Sequence, residues 1–189
     1  MVILSIFFFI TAILYSSVGF GGGSTYLALM LIWDIPYYIF PIIALFCNII
    51  VVSGNSINYI KSGNLNFKLL IPYLIGSVPF AFFGASISIG KELFEILLFL
   101  MKAGYPKHIA TTASLFILIN SIFGVAGQLT KDIVINEFFN YWPLFVAVLV
   151  GGQIGNYINI KFLSNKTLAL LTSLLVIFVA GRMGFRILP

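Results

Sequence analysis

The stretch Gly19-Phe20-Gly21-Gly22-Gly23-Ser24-Thr25 lies between two strongly apolar segments, residues 1–18 and 26–33. Glycine has no Cβ and adopts positive φ readily, so this run can interrupt a helix and bring bare backbone to a neighbour or a ligand. The apolar flanks place the interruption at the depth of a lipid bilayer. At that depth, non-helical backbone is tolerated only where it is buried in protein or lines a cavity. The run therefore predicts a helix that is broken inside a membrane.

The composition is that of an integral membrane protein. The 189 residues are 61% hydrophobic and 8% charged, and the mean hydropathy is +1.13. Soluble domains carry about 25% charged residues. A membrane-spanning helix needs about 20 apolar residues, and the chain holds several apolar blocks near that length between short polar joints. The sequence predicts an all-α, polytopic bundle of transmembrane helices.

Charge and cysteine content exclude several classes of function. The net charge of +5 is attributed to cytoplasmic loops, where membrane proteins concentrate Lys and Arg, and not to nucleic-acid binding. Cys47 is the only cysteine, so the chain cannot form an internal disulfide. We find no metal-ligand cluster, no nucleophile beside a base and no phosphate-binding motif. The sequence thus predicts no enzyme, no metal and no cofactor.

Apolar lengths and helix breakers divide the chain into spans. The first is expected over residues 2–20; it lacks a basic leader and a cleavage site, which is typical of a retained span and not of a signal peptide. Residues 25–33, stopped by Asp34-Ile35-Pro36, are too short to cross and predict a short or re-entrant helix. A span beginning at Leu93 is interrupted by Lys102. The remaining spans are expected over residues 36–60, 69–89, 109–130, 141–160 and 167–188.

The chain resembles itself at a nearly constant offset. Four pairs are separated by 70 to 72 residues: Pro36 with Pro106, Asn48 with Asn120, Pro72 with Pro143, and Gly84 with Gly155. Such duplication is common in transporters. We interpret residues 36–89 and 106–160 as two copies of one unit, within a first repeat over residues 1–100 and a second over residues 101–189.

The second copy lacks the part that precedes the first. A complete span and the glycine run come before Pro36, whereas Pro106 follows the start of one helix, Leu93 to Leu100, joined to the end of another. Restoring a full span and a second glycine run would take roughly 50 to 60 residues, at about 20 residues per span. An internal segment near Met101 is therefore expected to be missing, which truncates the second repeat on its N-terminal side.

Three features resemble the TauE/SafE family of membrane transporters, also described as the sulfite exporter or four-TMS-repeat group. They are the glycine run after a first span, the block Pro36 to Lys61 with Asn48 inside it, and Thr111 to Ser121. The resemblance covers essentially the whole chain through the order and spacing of these motifs. It implies secondary transport of a small anion, such as sulfite or an organosulfonate, across the cytoplasmic membrane. The alternative is a non-transporting membrane subunit or a degenerate remnant, because the second glycine run is absent.

The glycine run offers an anion neutral hydrogen-bond donors. A helix N-terminus carries about half a positive charge, so a half-helix that starts near Gly23 would attract an anion without a buried Lys or Arg. The alternative is that the glycines only let helices pack closely. The predicted substrate-binding residues are Gly19, Gly21, Gly22, Gly23, Ser24, Thr25, Asn48, Thr112, Ser114 and Asn120.

The polar candidates outside the run have structural alternatives. Asn48 and Asn120 could form interhelical hydrogen bonds, and Thr112 and Ser114 could bond to their own helix. His108 is expected at the surface and Asp34 at the membrane interface, each in preference to a proton relay. The expected partners are the lipid bilayer and a small inorganic or organic anion, and homo-oligomerisation is left open.

The charged joints suggest an orientation. Basic joints contain Lys61 and Lys68, Lys102 and Lys107, and Lys161 and Lys166. Counting spans places these three joints on one face, which the positive-inside rule makes cytoplasmic. The two copies are inverted or parallel according to how the missing piece crosses the membrane, and the charges favour inversion.

Overall fold

A computed structural model describes residues 1–61, 63, 67–87, 106–130 and 135–162, together with residues 167 and 170. This part of the chain is helical and contains no strand, which confirms the all-α prediction. The spans expected from Leu93 and over residues 167–188 lie almost wholly outside it. The helices are α1 (Val2–Val18), α2 (Gly23–Ile32), a 3-10 turn (Tyr37–Ile39), α3 (Phe40–Lys61), α4 (Phe67–Ile87), α5 (Pro106–Gln128), α6 (Ile135–Phe139) and α7 (Trp142–Phe162).

Left-handed glycines separate α1 from α2. Gly19 ends α1 with φ of 90°, and the amides of Gly19 and Phe20 bond to the carbonyls of Ser16 and Tyr15. This pairing is the Schellman motif, which a left-handed glycine makes possible. Gly22, with φ of 80°, precedes the first residue of α2. The predicted break is therefore confirmed at the predicted residues. With 10 residues, α2 is about 15 Å long, half of a bilayer core.

The half-helix α2 runs back along α1. A Cβ on Gly22 would contact Tyr15 and Thr11, whereas Tyr26 stacks on Phe8 at 4.7 Å between ring centroids. Further along, Trp33 lies 5.5 Å from Phe7. Later residues of α2 therefore meet earlier residues of α1, and the two helices form a re-entrant hairpin with the glycines at its tip.

The long helices form a row in the order α1, α7, α3, α5 and α4, and α2 packs mainly on α3. Helices α3 and α7 are parallel, because the contacts between them follow the same order along both helices. These contacts join Phe46 with Phe145, Val51 with Gly152, and Tyr59 with Asn159. By the same criterion α1 is parallel to α7, because Gly151 meets Phe9 and Asn159 meets Ser17.

Helices α3 and α5 are antiparallel. Tyr38, just before α3, contacts Glu137, which follows α5. At the other end, Ser114 in the first half of α5 donates to the Gly19 carbonyl just after α1, which runs parallel to α7 and α3. If α3 is exchanged with α5 and α7 with α4, the row α7, α3, α5, α4 becomes the same row read from its other end. This symmetry supports the interpretation of two inverted copies, which stays a prediction.

Close backbone approach holds α1 against α7. A Cβ on Gly151 would lie 2.5 Å from the carbonyl oxygen of Phe9, and a Cβ on Gly155 would meet the carbonyl of Ile13. Small residues permit such contact between helices in membranes. Large apolar side chains cover the opposite side of α1 and are exposed, as expected of a lipid-facing surface; they are Ile3, Ile6, Phe7, Ile10 and Leu14.

The lengths of the helices agree with a membrane protein. Two helices of the described part, Tyr37–Lys61 and Thr111–Gln128, are long and apolar enough to cross a bilayer by length and composition. Helix boundaries differ slightly from the prediction. Helix α5 starts at Pro106, since proline is well suited to the first helical position, and the short helix α6 lies between the spans expected over residues 109–130 and 141–160.

Candidate functional site

The carboxamide of Asn48 lies directly on the backbone of the glycine break, a name we give to residues 19–25. A Cβ on Gly21 would lie 2.5 Å from Asn48 Oδ1, and one on Gly23 would lie 2.7 Å from Asn48 Nδ2. Any side chain at these positions would displace the amide. The fold thus brings Gly21, Gly23 and Asn48 together, three of the residues singled out from the sequence.

Asn48 occupies the middle of the bundle. It lies 8 residues after Phe40 and 13 before Lys61, the two ends of α3, or about 12 and 20 Å from them. Its Oδ1 atom is buried and receives no hydrogen bond from the residues that the structure describes. An unsatisfied amide oxygen in an apolar interior is costly, and native proteins pair nearly all such groups. In the described part of the chain, this oxygen therefore lacks the hydrogen-bond donor that a buried amide oxygen normally has.

The first turn of α2 presents donors beside Asn48. The amides of Thr25 and Tyr26 bond to the Gly22 carbonyl at 3.0 and 3.1 Å. The amide of Gly23 comes before these first bonds, so it lies outside the hydrogen-bond ladder of the helix. The Thr25 hydroxyl pairs with the Tyr15 hydroxyl at 2.8 Å, and Ser24 is exposed at the tip. Donors and the positive end of the helix dipole thus converge on one side of the break.

The carbonyl end of α1 is already satisfied. Asn159 Nδ2 donates to the Ser17 carbonyl at 2.6 Å, and Asn55 Nδ2 donates to the Ser16 carbonyl at 3.0 Å. The Ser114 hydroxyl donates to the Gly19 carbonyl. Three helices therefore place donors on the oxygens that could otherwise attract a cation.

Sequence reasoning missed Asn55 and Asn159. Both are buried, and Asn159 Oδ1 also accepts a bond from the Tyr59 hydroxyl at 3.0 Å. A signal was available, since Asn55 follows Asn48 by seven residues, which is about two helical turns, and so shares its face of α3. For Asn159, only its contact with the Ser17 carbonyl in the folded chain identifies its role as a hydrogen-bond donor to the end of α1.

The remaining predicted residues are placed differently. Ser114 reaches the break but serves as a clamp on Gly19. Thr112 is buried, and its hydroxyl has no hydrogen-bond partner within the described part of the chain. Asn120 Nδ2 donates to Ser77 Oγ at 3.0 Å, which links α5 to α4, and to the Phe116 carbonyl of its own helix at 2.9 Å. This geometry agrees with the interhelical alternative for Asn120.

The charged groups lie at the ends of the helices. Lys61 and Lys161 lie at the C-terminal ends of the parallel helices α3 and α7, and Lys68 and Lys107 lie at the N-terminal ends of α4 and α5. Because α5 is antiparallel to α3, and a short link joins α3 to α4, these four residues share one end of the bundle, the lysine end. No three His, Cys, Asp or Glu side chains come together in the described ranges.

The opposite end carries the acidic contacts. There the Tyr38 hydroxyl donates to the Glu137 carboxylate. Asp34 is exposed just after α2, with φ of 50°. The side chain of His108 lies outside the description.

Comparison with known proteins agrees with these features. A family model described as "Sulfite exporter TauE/SafE" matches residues 4–101. The chain is also similar to "Probable membrane transporter protein y4hK" of Sinorhizobium fredii (strain NBRC 101917 / NGR234), with 23% identity over 152 residues. The aligned part is 80% of this chain and 56% of that relative, so the chain spans little more than half of the relative's length. No solved structure matches.

Proposed function

The chain belongs to the sulfite exporter TauE/SafE family, and from that premise we propose that it moves a small anion across the cytoplasmic membrane. We propose a multi-pass secondary transporter whose substrate is sulfite, an organosulfonate or a similar anion. The substrate would bind at the glycine break between the Asn48 carboxamide and the first turn of α2. The remaining residues singled out from the sequence, Thr112, Ser114 and Asn120, would line or support this region.

The observation that carries the proposal is the unpaired, buried oxygen of Asn48 beside a helix N-terminus. Backbone amides and a helix dipole bind anions without a charged side chain. In the part of the chain that the structure describes, the basic residues lie at helix ends, so neutral donors would have to hold the anion. An anion bound by such dipoles can also be released readily, which transport requires.

The orientation of α2 supports access from the lysine end. Helix α1 is parallel to α7, whose last turn carries Lys161, and α2 runs antiparallel to α1. The N-terminus of α2 therefore faces the lysine end. A cluster of positive charges raises the local concentration of anions and speeds their arrival.

The Asn48 oxygen also bears on which anion binds. A fully deprotonated oxyanion has only acceptors and would leave this oxygen unpaired. An anion with its own donor, such as a singly protonated oxyanion, would both accept from the α2 amides and donate to Asn48 Oδ1. We therefore expect anions that carry an O–H or N–H group to be preferred.

A second candidate, a non-transporting membrane subunit, has one observation in its favour. The chain aligns with only 56% of its curated relative, and a second glycine run is absent from the sequence. Such a subunit would bind the anion at the break but would not carry it across.

Reconstitution of the purified full chain into liposomes separates the two candidates. We expect saturable uptake of radiolabelled sulfite above that of protein-free liposomes, and sulfite should also raise the unfolding temperature, since a ligand that binds the folded state stabilises it. Stabilisation without uptake would favour the non-transporting subunit. The absence of both uptake and stabilisation would contradict both candidates.

A further inference from the structure

We propose that the Tyr26 hydroxyl is a second binding group for the transported anion, beyond the glycine break on the side away from the lysine end. This inference rests on the proposed transport function and adds a second step to it. It gives a role to a buried polar group that neither the packing of the helices nor the site at Asn48 uses.

Tyr26 is fully buried, and its hydroxyl is unpaired. Its exposed fraction is 0%, and its Oη atom has no hydrogen-bond partner among the residues that the structure describes. Its backbone amide, by contrast, bonds to the Gly22 carbonyl at 3.1 Å. A buried hydroxyl without a partner is unfavourable, and native proteins contain few such groups. The hydroxyl therefore calls for an explanation that the local helix does not give.

The contacts of Tyr26 with α1 fix its depth in the bundle. Its ring stacks on Phe8 at 4.7 Å between centroids, whereas the break at Gly22 lies against Thr11 and Tyr15. Phe8 precedes Thr11 by three residues and Tyr15 by seven, which is about 5 and 10 Å along the helix. Because α1 runs toward the lysine end, the ring lies on the side of the break that faces the opposite end.

The interior of the bundle changes character at the level of the break. On the lysine side, α1, α3 and α7 contribute buried polar side chains, among them Ser16, Ser17, Asn55, Ser56, Asn156 and Asn159. On the other side lies an apolar core that includes Phe8, Met30, Ile43, Leu144 and Val148. Tyr26 belongs to this core and carries the one hydroxyl among its buried residues in the described ranges.

An anion that crosses the membrane has to pass this apolar layer. A lysine or arginine side chain would be costly to place there, whereas a phenol is neutral and still donates a hydrogen bond. Tyr26 follows Gly23 by three residues in α2, so its hydroxyl is the next donor for an anion that leaves the first turn of this helix toward the opposite end. The anion supplies the partner that the hydroxyl lacks.

Tyr26→Phe separates this step from binding at the break. The variant in liposomes should keep the sulfite-induced rise in unfolding temperature, since Asn48 and the α2 amides are unchanged. Its maximal rate of sulfite uptake should fall about tenfold or more, the effect of losing one hydrogen bond to a charged group. Without sulfite it should unfold at the wild-type temperature or above, because the removed hydroxyl has no partner in the fold.

Tyr37→Phe is the matched control. Tyr37 is 72% exposed at the end opposite the lysines, so this variant loses a phenol oxygen outside the apolar layer and should keep the wild-type rate of uptake. A Tyr26→Phe variant that transports as fast as the Tyr37→Phe variant would overturn the proposal and leave the transport function standing.

The other outcomes also decide. A lower unfolding temperature of Tyr26→Phe without sulfite would overturn the proposal, because the hydroxyl would then support the fold. Loss of the sulfite-induced stabilisation would also overturn it, because Tyr26 would then act at the break itself and not beyond it. A wild-type chain that takes up no sulfite would contradict the transport function, and this step with it.

Discussion

At the scale of single residues, the glycines of the break fall into two groups. Gly19 and Gly22 adopt left-handed φ of 90° and 80°, a conformation that other residues resist. Gly21 and Gly23 are needed for space, because the Asn48 amide occupies the volume of their missing side chains. The sequence predicted the break itself from local chemistry. The contact with Asn48 could not be predicted, since it depends on how α2 packs against α3.

Gly21→Ala tests the second group. The added methyl group would overlap Asn48 Oδ1 and push the amide off the break. Overpacking of this kind costs about 1–3 kcal/mol, and 1.4 kcal/mol is a factor of ten in affinity, so anion binding and uptake should fall about tenfold or more. The measurement is sulfite uptake at matched protein incorporation.

Gly76→Ala is the control for this variant. Gly76 lies inside α4, and a Cβ there would meet nothing within 4 Å. Alanine is the better helix former, so this variant should insert normally and keep its uptake. Equal uptake by the two variants would mean that the position of the Asn48 amide does not matter.

At the scale of helices, α1 is held by backbone contact with α7. The pair Gly151 and Gly155 lets the carbonyls of Phe9 and Ile13 approach α7, and buried amides from α3 and α7 bond to the last carbonyls of α1. The hydropathy pattern predicted the long described helices and α2 to within a few residues, because length and breakers are local properties, but it did not predict α6. It did not predict that α1 pairs with α7, since partners distant in the sequence leave no local trace.

Gly155→Ala should loosen this pair. Its Cβ would collide with the backbone of α1 at Ile13, and backbone cannot turn aside as a side chain can. We expect a loss of about 1–3 kcal/mol in the free energy of unfolding, measured by thermal or denaturant unfolding in detergent. Gly152→Ala provides a comparison one turn away, because its Cβ would make ordinary contact with Val51 at 3.4 Å. Equal stability of the two variants would argue against backbone contact between α1 and α7.

At the scale of the whole molecule, the arrangement of helix directions agrees with the charge pattern. The lysine end gathers Lys61, Lys68, Lys107 and Lys161, whereas Asp34 and Glu137 lie at the other end. The positive-inside rule places the lysine end in the cytoplasm. From sequence, this followed from counting spans alone. The directions of the helices show independently that these four lysines share one end, and the cytoplasmic orientation of that end stays a prediction.

Cysteine labelling in whole cells tests the orientation. In a Cys47→Ala background, which removes the buried native thiol, Gly63→Cys and Lys161→Cys should be protected from an impermeant thiol reagent added outside, and both should react after the cells are opened. Glu137→Cys should react from outside. The reverse pattern would show that the lysine end faces the outside of the cell. A mixed pattern for residues 63 and 161 would contradict the parallel packing of α3 and α7.

The most direct test of an anion site at the glycine break is the reactivity of a cysteine placed at its tip. Ser24→Cys, in the Cys47→Ala background, should react with a sulfonate-bearing methanethiosulfonate at least about fivefold faster than with its trimethylammonium counterpart, because the N-terminus of α2 is positive. Sulfoacetate should protect the cysteine from both reagents. A cysteine that reacts with neither reagent, or with both at equal rates and without protection, would contradict an anion site at the break.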